Sequence, residues 1–149
     1  VASDVYERSI DTVWNAAVMT SSIIHLTQFP RLGGNITIMY YDIYGAAYGN
    51  GKFVAVGYAG KIAYSTDGNT WYQAATPSFG TDIIYGVAYG NGKFVAVGYN
   101  GKIGYSTDED TWVQAATPSF GTTIIYGAAY GNGKFVAVGD VGKIGFSID

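Results

Sequence analysis

Few residues in this 149-residue chain have the chemistry of a catalytic or metal-binding group. The chain has no cysteine and one histidine, His25, so disulfides, thiolate catalysis and histidine–cysteine metal sites are excluded. His25 is expected to be a packed or surface residue. The only arginines are Arg8 and Arg31, and most acidic residues lie in predicted turns without a recurring pair suited to acid–base catalysis. We therefore expect no enzymatic activity, no cofactor and no metal.

Tyrosines beside polar side chains offer a different chemistry, which is the recognition of sugars. Tyr58 and Tyr99 occupy equivalent predicted turns, and Asp140 takes the same place further along the chain. An aromatic ring gives a sugar an apolar face on which to stack, and amide or carboxylate groups bind its hydroxyls. Packing between sheets is the competing interpretation of the two tyrosines. The candidate ligand-binding residues are Tyr58, Tyr99, Asn100, Asp140 and Asp82.

The composition indicates an all-β domain with a core. Apolar residues make up 48% of the chain and charged residues 13%, and the counts of glycine (22) and tyrosine (14) are high. The net charge is −3 and the six lysines stand singly beside turn glycines, which argues against nucleic acid as a partner. The uncharged stretch 12–30 is too polar for a membrane span. The first residue is Val1, so processing or trimming at the start is expected.

The chain repeats itself with a period of 41 residues. Tyr44, Tyr85 and Tyr126 mark the period, and Trp71 and Trp112 keep the same step. The first two copies differ at only seven positions. Such self-similarity predicts a repeat architecture, in which each copy is one supersecondary unit.

One repeat divides into four apolar runs separated by turn residues. We label the runs of the first copy A, B, C and D, which cover residues 43–49, 52–57, 61–65 and 71–75. Asn-Gly, the strongest short hairpin signal, separates A from B, and the loop "TPSFGTD" follows D. A four-stranded antiparallel meander of about 40 residues is the unit of a β-propeller blade. A β-trefoil, which has three repeats of similar length, is the alternative.

The residue types along the runs suit blades that stack on one another. Run A is small at Gly45, Ala46 and Ala47, as expected of an inner strand near a propeller axis. Run B is apolar on both faces, which suits a sheet covered on each side by a neighbour. A single blade would leave an apolar face exposed to water, so blades are stable only when they pack against one another. Phe79 and Phe120, in the loops after run D, are expected to pack.

The stretches "STDGNTW" (65–71) and "STDEDTW" (106–112) resemble the Asp-box of BNR-type propellers. With the preceding "AYGNGKFVAVG", residues 43–149 are similar to repeats of bacteriophage tail and bacterial surface proteins. The resemblance implies a local role, in which Ser and Asp bond turn amides and Trp packs beneath the turn, opposite the ligand-binding face. The residues with this role are Ser65, Asp67, Trp71, Ser106, Asp108 and Trp112.

The second box contains three consecutive acidic residues, 108–110. Calcium needs six to eight oxygen ligands, which these carboxylates do not complete. We expect a solvated acidic turn.

The third repeat has runs A, B and C but no D, since its Trp would fall at position 153. Residues 9–22, "SIDTVWNAAVMTSS", are similar to the missing piece, with Asp11 and Trp14 matching the box loosely. We therefore predict that the segment around Trp14 supplies the last strand and completes the ring. The expected domains are a closing strand plus hairpin at 1–42 and the repeats at 43–149, divided into 43–82, 83–123 and 124–149.

Three blades are fewer than the four to eight of most propeller rings. Residues 23–29 and 35–42 are predicted to form a β-hairpin. The hairpin is expected to be either a degenerate blade or a clasp against another subunit. We favour a homo-oligomer whose chains exchange N-terminal strands, with two chains making six blades.

The resemblance implies binding rather than catalysis. Asp-box propellers include sialidases, which hold a carboxylate with an arginine cluster, and this chain has only two arginines. We expect a non-enzymatic adhesion module with lectin-like glycan recognition through the B–C and D–A loops, on a virion, a phage tail or a cell surface. The alternative is a structural self-assembly module of a virion or extracellular filament. Nucleic-acid binding and membrane insertion are not expected.

Overall fold

The structure is a computed structural model that describes residues 5–9, 12–16, 42–75, 78–116 and 119–147. The regular elements of these residues are β-strands and three short 3-10 turns. Among them there is no helix whose length and hydropathy would let it cross a membrane. The N-terminal strands are β1 (Val5–Ser9) and β2 (Thr12–Ala16).

The three repeats fold into three consecutive antiparallel sheets, which we call blades 1, 2 and 3. Blade 1 consists of β3 (Ile43–Gly49), β4 (Lys52–Gly57), β5 (Ile62–Ser65) and β6 (Tyr72–Gln73). Blade 2 consists of β7 (Ile84–Gly90), β8 (Lys93–Gly98), β9 (Ile103–Ser106) and β10 (Val113–Gln114). Blade 3 consists of β11 (Ile125–Gly131), β12 (Lys134–Gly139) and β13 (Ile144–Phe146).

The Asn-Gly pairs form the tight turns between the first and second strands, as predicted. Asn50 and Gly51 both have positive φ, at 50° and 74°, and the other two blades repeat these values closely. Two positive φ angles define the type I′ turn, whose twist matches that of the flanking strands. The turn fixes the register, in which Gly49 pairs with Lys52.

The first strand of each blade carries a β-bulge at its tyrosine. In blade 1 the register moves from the pair Ile43–Gly57 to the pair Gly45–Val56, which leaves Tyr44 as the extra residue. The same shift occurs at Tyr85 and Tyr126. A bulge redirects a side chain relative to the sheet, so these tyrosines point differently from their neighbours.

Neighbouring blades approach most closely along their first strands, β3, β7 and β11. A Cβ on Gly45 would lie 3.1 Å from the Gly86 Cα, and a Cβ on Gly86 would lie 3.0 Å from the Gly127 Cα. At the hairpin end, Tyr89 of blade 2 lies against Gly49 of blade 1, where any Cβ would overlap the ring. Gly45 and Gly86 are therefore required by the close approach of a neighbouring backbone, and Gly49 by the close approach of a ring, in agreement with the predicted inner strand.

Two hydrophobic clusters fill the spaces between blades. Each cluster combines what we call the front face of one blade with the back face of the next. The front faces contain Val54, Val56 and Ile62 in blade 1, Val95, Val97 and Ile103 in blade 2, and Val136, Val138 and Ile144 in blade 3. The back faces contain Ile43, Tyr48 and Phe53, then Ile84, Tyr89 and Phe94, then Ile125, Tyr130 and Phe135. Phe79 and Phe120 are buried in these clusters, which confirms that they pack.

The N-terminal strands differ from expectation. β2 pairs with β1, so that Trp14 lies opposite Glu7, and these two strands form a sheet of their own. Among the described residues, β13 is the outer strand of a three-stranded blade and the ring is not closed. The prediction that the Trp14 segment completes blade 3 is therefore not met within the chain. Pairing across the two-residue connection at 10–11 costs far less loop entropy than pairing with β13.

Exchange of this segment between chains stays a prediction. The hairpin expected over 23–29 and 35–42 lies outside the described residues, apart from Asp42.

Candidate ligand-binding site

The strand order brings two sets of loops to one end of each blade, which we call the loop end. The first strand begins where the second strand ends, since Ile43 pairs with Gly57. The B–C turn that follows is fastened to the residue before the first strand, because the Tyr58 amide donates to the Asp42 carbonyl at 2.9 Å. Tyr99 and Asp140 make the same bond in blades 2 and 3. The predicted B–C and D–A loops therefore lie side by side.

In each B–C turn, the residue after the candidate Tyr58, Tyr99 or Asp140 has a left-handed backbone conformation. Residues Ala59, Asn100 and Val141 have φ of 53°, 56° and 49°, and each precedes a glycine that also has positive φ. Asparagine tolerates this left-handed region, whereas a β-branched valine is strained in it. The turn in blade 2 is therefore the least strained of the three, and its Asn100 side chain is exposed.

Tyr58 and Tyr99 keep substantial accessible surface. Their exposed fractions are 48% and 43%, so neither ring is packed away between blades. Asp140 occupies the equivalent position in blade 3 and is exposed, with its Oδ1 accepting a bond from the Val141 amide at 2.8 Å. The three residues thus lie at equivalent points of successive blades, at the loop end.

Asp82 has a structural partner that the sequence did not reveal. Its Oδ2 lies 2.8 Å from the Lys102 Nζ, which also donates to the Phe79 carbonyl at 3.0 Å. Lys102 thereby joins blade 2 to the D–A loop that connects blade 1 to blade 2. In the following loop Lys143 donates to the Phe120 carbonyl at 3.2 Å, and Thr123 takes the place of Asp82.

A row of tyrosines at the loop end was missed as a candidate site. The rings of Tyr44, Tyr85 and Tyr126 lie 5.6 Å apart, centroid to centroid, from each blade to the next. The first and last are exposed and the middle one is half-buried. Their exact recurrence was visible in the sequence, but the bulge that aligns them depends on strand register, which was not.

Tyr44 has a carboxylate neighbour. The pKa of Tyr44 is raised above its ordinary value of 10.0, mainly because the phenol is partly desolvated and secondly because the Asp42 carboxylate is negatively charged. Its hydroxyl lies 3.4 Å from the Asp42 Oδ2. The phenol therefore stays protonated at neutral pH and can donate a hydrogen bond while its ring packs against a ligand.

The Ser-Asp turns lie at the opposite end of the blades, beside the Asn-Gly hairpins, since Phe53 pairs with Ser65. The Asp67 Oδ1 accepts bonds from the amides of Asn69 and Thr70, both at 2.8 Å, and from the Ser65 hydroxyl at 2.9 Å. These bonds favour the ionised form and lower the pKa of Asp67 to about 2. Ser106 and Asp108 repeat the arrangement in blade 2.

The tryptophans complete these turns. The Trp71 Nε1 donates to the Gly68 carbonyl at 3.2 Å, and the Trp112 Nε1 donates to the Glu109 carbonyl at 2.9 Å. Trp112 is buried in the cluster between blades 1 and 2, whereas Trp71 is half-buried. The bonds of Ser, Asp and Trp all close the turn itself, which gives these residues a structural role.

The expectation of a solvated acidic turn in blade 2 is wrong for Glu109. Its side chain is buried, and its Oε2 lies 2.6 Å from the Nζ of Lys52 in blade 1. Asp110 also reaches blade 1, where its Oδ1 accepts a bond from the Ala75 amide at 2.8 Å. The acidic turn therefore joins two blades. No cluster of three or more potential metal ligands occurs in the part of the chain that the structure describes.

The fold is that of a β-propeller. No protein-family model and no curated protein matches the chain. Among solved structures, it is similar to the WD40 β-propeller domain of Doa1, with a TM-score of 0.57 and 11% identity. The similarity covers 72% of this chain and 37% of that one, so the chain spans little more than a third of that structure. This confirms the predicted propeller-type blades, and the trefoil alternative is set aside.

Proposed function

We propose that this chain is a non-enzymatic binding module that recognises glycans at the loop end of its blades. The resemblance of its repeats to those of phage tail and bacterial surface proteins suggests a virion or cell-surface setting. The Asp-box turns, at the far end of the blades, hold the strands in place and take no part in binding.

One observation carries the proposal, namely the aligned aromatic surface of the loop end. The row formed by Tyr44, Tyr85 and Tyr126 runs along successive blades, with rings 5.6 Å apart. Tyr58 and Tyr99 stand exposed on the turns at the same end. Flat rings beside exposed carboxylates and amides match the alternating apolar and hydroxyl surfaces of a sugar. Repetition along the blades gives multivalency, which strengthens weak individual contacts.

A glycan array tests this proposal. The unmodified chain should bind a restricted set of glycans, and the double variant Tyr58→Ala/Tyr99→Ala should lose that binding while keeping its urea unfolding midpoint. Tyr105→Ala is the matched control, because Tyr105 is 38% exposed but lies on strand β9, away from the B–C turn. It should bind as the unmodified chain does. No binding to any glycan, or equal losses in both variants, contradicts the proposal.

A second candidate function is self-assembly, as a structural module of a virion or filament. The observation that favours it is the exposed apolar surface on the outer faces of blades 1 and 3.

A further inference from the structure

We infer that the front face of blade 3 binds the back face of blade 1 in a second copy of this chain, and that two copies form a six-bladed ring. The contact is a packing of whole blade faces, distinct from exchange of the N-terminal strands. The inference rests on the second candidate function, self-assembly, and does not depend on glycan binding.

Blade 3 exposes the surface that the other blades bury. Ile62 in blade 1 is 0% exposed because blade 2 covers it, whereas Ile144, at the same position in blade 3, is 73% exposed. The valines of the second strand show the same contrast, with Val136 and Val138 exposed in blade 3. A contiguous exposed apolar surface of this kind indicates an interaction site.

Blade 1 exposes the complementary surface. Its back face contains Ile43, Tyr48 and Phe53, all of which are exposed. The equivalent residues of blade 2, Ile84 and Phe94, are fully buried against blade 1. The two outer faces are thus the two halves of an interface that the molecule already makes twice.

The first three strands of the outer faces carry the same residue types, at the positions compared, as those of the internal interfaces. At the interface of blades 1 and 2, Tyr89 lies against Gly49. The equivalent glycine in blade 3, Gly131, has no atom within 4 Å of its Cβ position, and the equivalent tyrosine, Tyr48, is exposed in blade 1. A second copy can therefore dock with its Tyr48 over Gly131 by continuing the same repeat.

The number of copies follows from the blade count. Propeller rings contain about four to eight blades, and six is the only multiple of three in that range. Two copies related by a two-fold axis use both outer faces of each chain, so the front face of blade 3 and the back face of blade 1 are covered in both chains.

The mass in solution tests the inference. Sedimentation velocity on the 149-residue chain should give twice the 15.8 kDa of one chain, falling to one chain on dilution. A chain that stays monomeric, or masses that grow without limit as in an open filament, contradicts the two-copy ring.

Variants separate face packing from strand exchange. Gly131→Ala adds a methyl group that fits the single chain but overlaps the docked Tyr48 ring, so it should weaken dimerisation by more than about tenfold. Val138→Lys places a charge in the same face and should act likewise. Val113→Lys is the matched control, since Val113 is 48% exposed and Val138 is 45% exposed, and it should leave the dimer intact. A dimer unaffected by Gly131→Ala contradicts the inference.

Mixing two monomeric variants tests the head-to-tail arrangement. Tyr48→Lys disrupts only the back face of blade 1, and Val138→Lys disrupts only the front face of blade 3. In a mixture, the intact front face of the Tyr48→Lys chain can therefore bind the intact back face of the Val138→Lys chain. The mixture should contain dimers that neither variant forms alone. Circular dichroism and urea unfolding show that each variant is folded. No recovery on mixing, with both chains folded, contradicts the head-to-tail contact.

Discussion

The ion pair between blades 1 and 2 gives a stringent test of how the blades pack. Lys52 lies at the hairpin of blade 1, and Glu109 lies 57 residues later in the turn of blade 2. Their side chains meet at 2.6 Å only if the two sheets stack as described. We consider the variants Glu109→Gln and Lys52→Met, alone and together.

The size of the effect follows from burial. The Glu109 side chain is 1% exposed and that of Lys52 is 30% exposed, so the carboxylate has lost its water while the ammonium keeps part of its own. A hydrogen bond to a charged group contributes about 1.5–3 kcal/mol, and breaking a fully buried pair costs about 3–5 kcal/mol. Lys52→Met should cost about 3 kcal/mol, since it leaves the carboxylate buried without its cation. Glu109→Gln should cost about 2 kcal/mol, because Lys52 can turn toward solvent.

Urea unfolding of the four proteins measures the coupling through a double-mutant cycle. We expect a coupling free energy of about 2 kcal/mol. Lys134→Met is the matched control, because Lys134 takes the same position in blade 3 and, like Lys52, lies over an aromatic ring. It is exposed, so its substitution should change the free energy of unfolding by no more than about 0.5 kcal/mol. Additive effects of Lys52→Met and Glu109→Gln, or equal effects at Lys52 and Lys134, would refute the packing of blades 1 and 2.

Two further predictions concern the turns. The pKa of Asp67 is about 2 in the folded chain and 3.8 in the reference state, so the unfolded chain takes up the proton first as the pH falls. The stability that Asp67 contributes should therefore be complete above about pH 4 and lost as the pH falls toward about 2. Asp67→Asn should remove this part of the acid dependence of the urea midpoint. Val141→Asn should stabilise the chain by roughly 0.5–1 kcal/mol in urea unfolding by relieving its left-handed backbone, and Asn100→Val should destabilise it by a similar amount; no change in either contradicts the strain.

Local sequence signals predicted the blades well. The first two strands of blade 1 have the expected bounds, and the Asn-Gly turns adopt the expected conformation. The fourth strand is shorter than expected, at Tyr72–Gln73 instead of 71–75, and its pairing with β5 covers these two residues. These features depend on residues close together in the chain, and the 41-residue period repeated each signal.

Features set by contacts between distant residues were not predictable in this way. Glu109 stands in a run of acidic residues, and only the approach of Lys52 from another blade accounts for its burial. The alignment of Tyr44 with its two copies depends on a register shift between strands. The Trp14 strand was missed for a different reason: its resemblance to the Asp-box pointed to blade 3, yet β2 pairs with β1, its nearest neighbour in the chain.

Engineered cysteines test whether consecutive repeats fold as separate blades that pack along their first strands. The chain has no cysteine, so the double variant Gly49→Cys/Tyr89→Cys contains the only two thiols. A Cβ at Gly49 would overlap the Tyr89 Cγ, so the two positions adjoin across blades 1 and 2, and we expect two cysteines there to form a disulfide. Mass spectrometry after mild oxidation should show one bond within the chain and no free thiol. Two thiols that stay free and fully reactive would contradict the account.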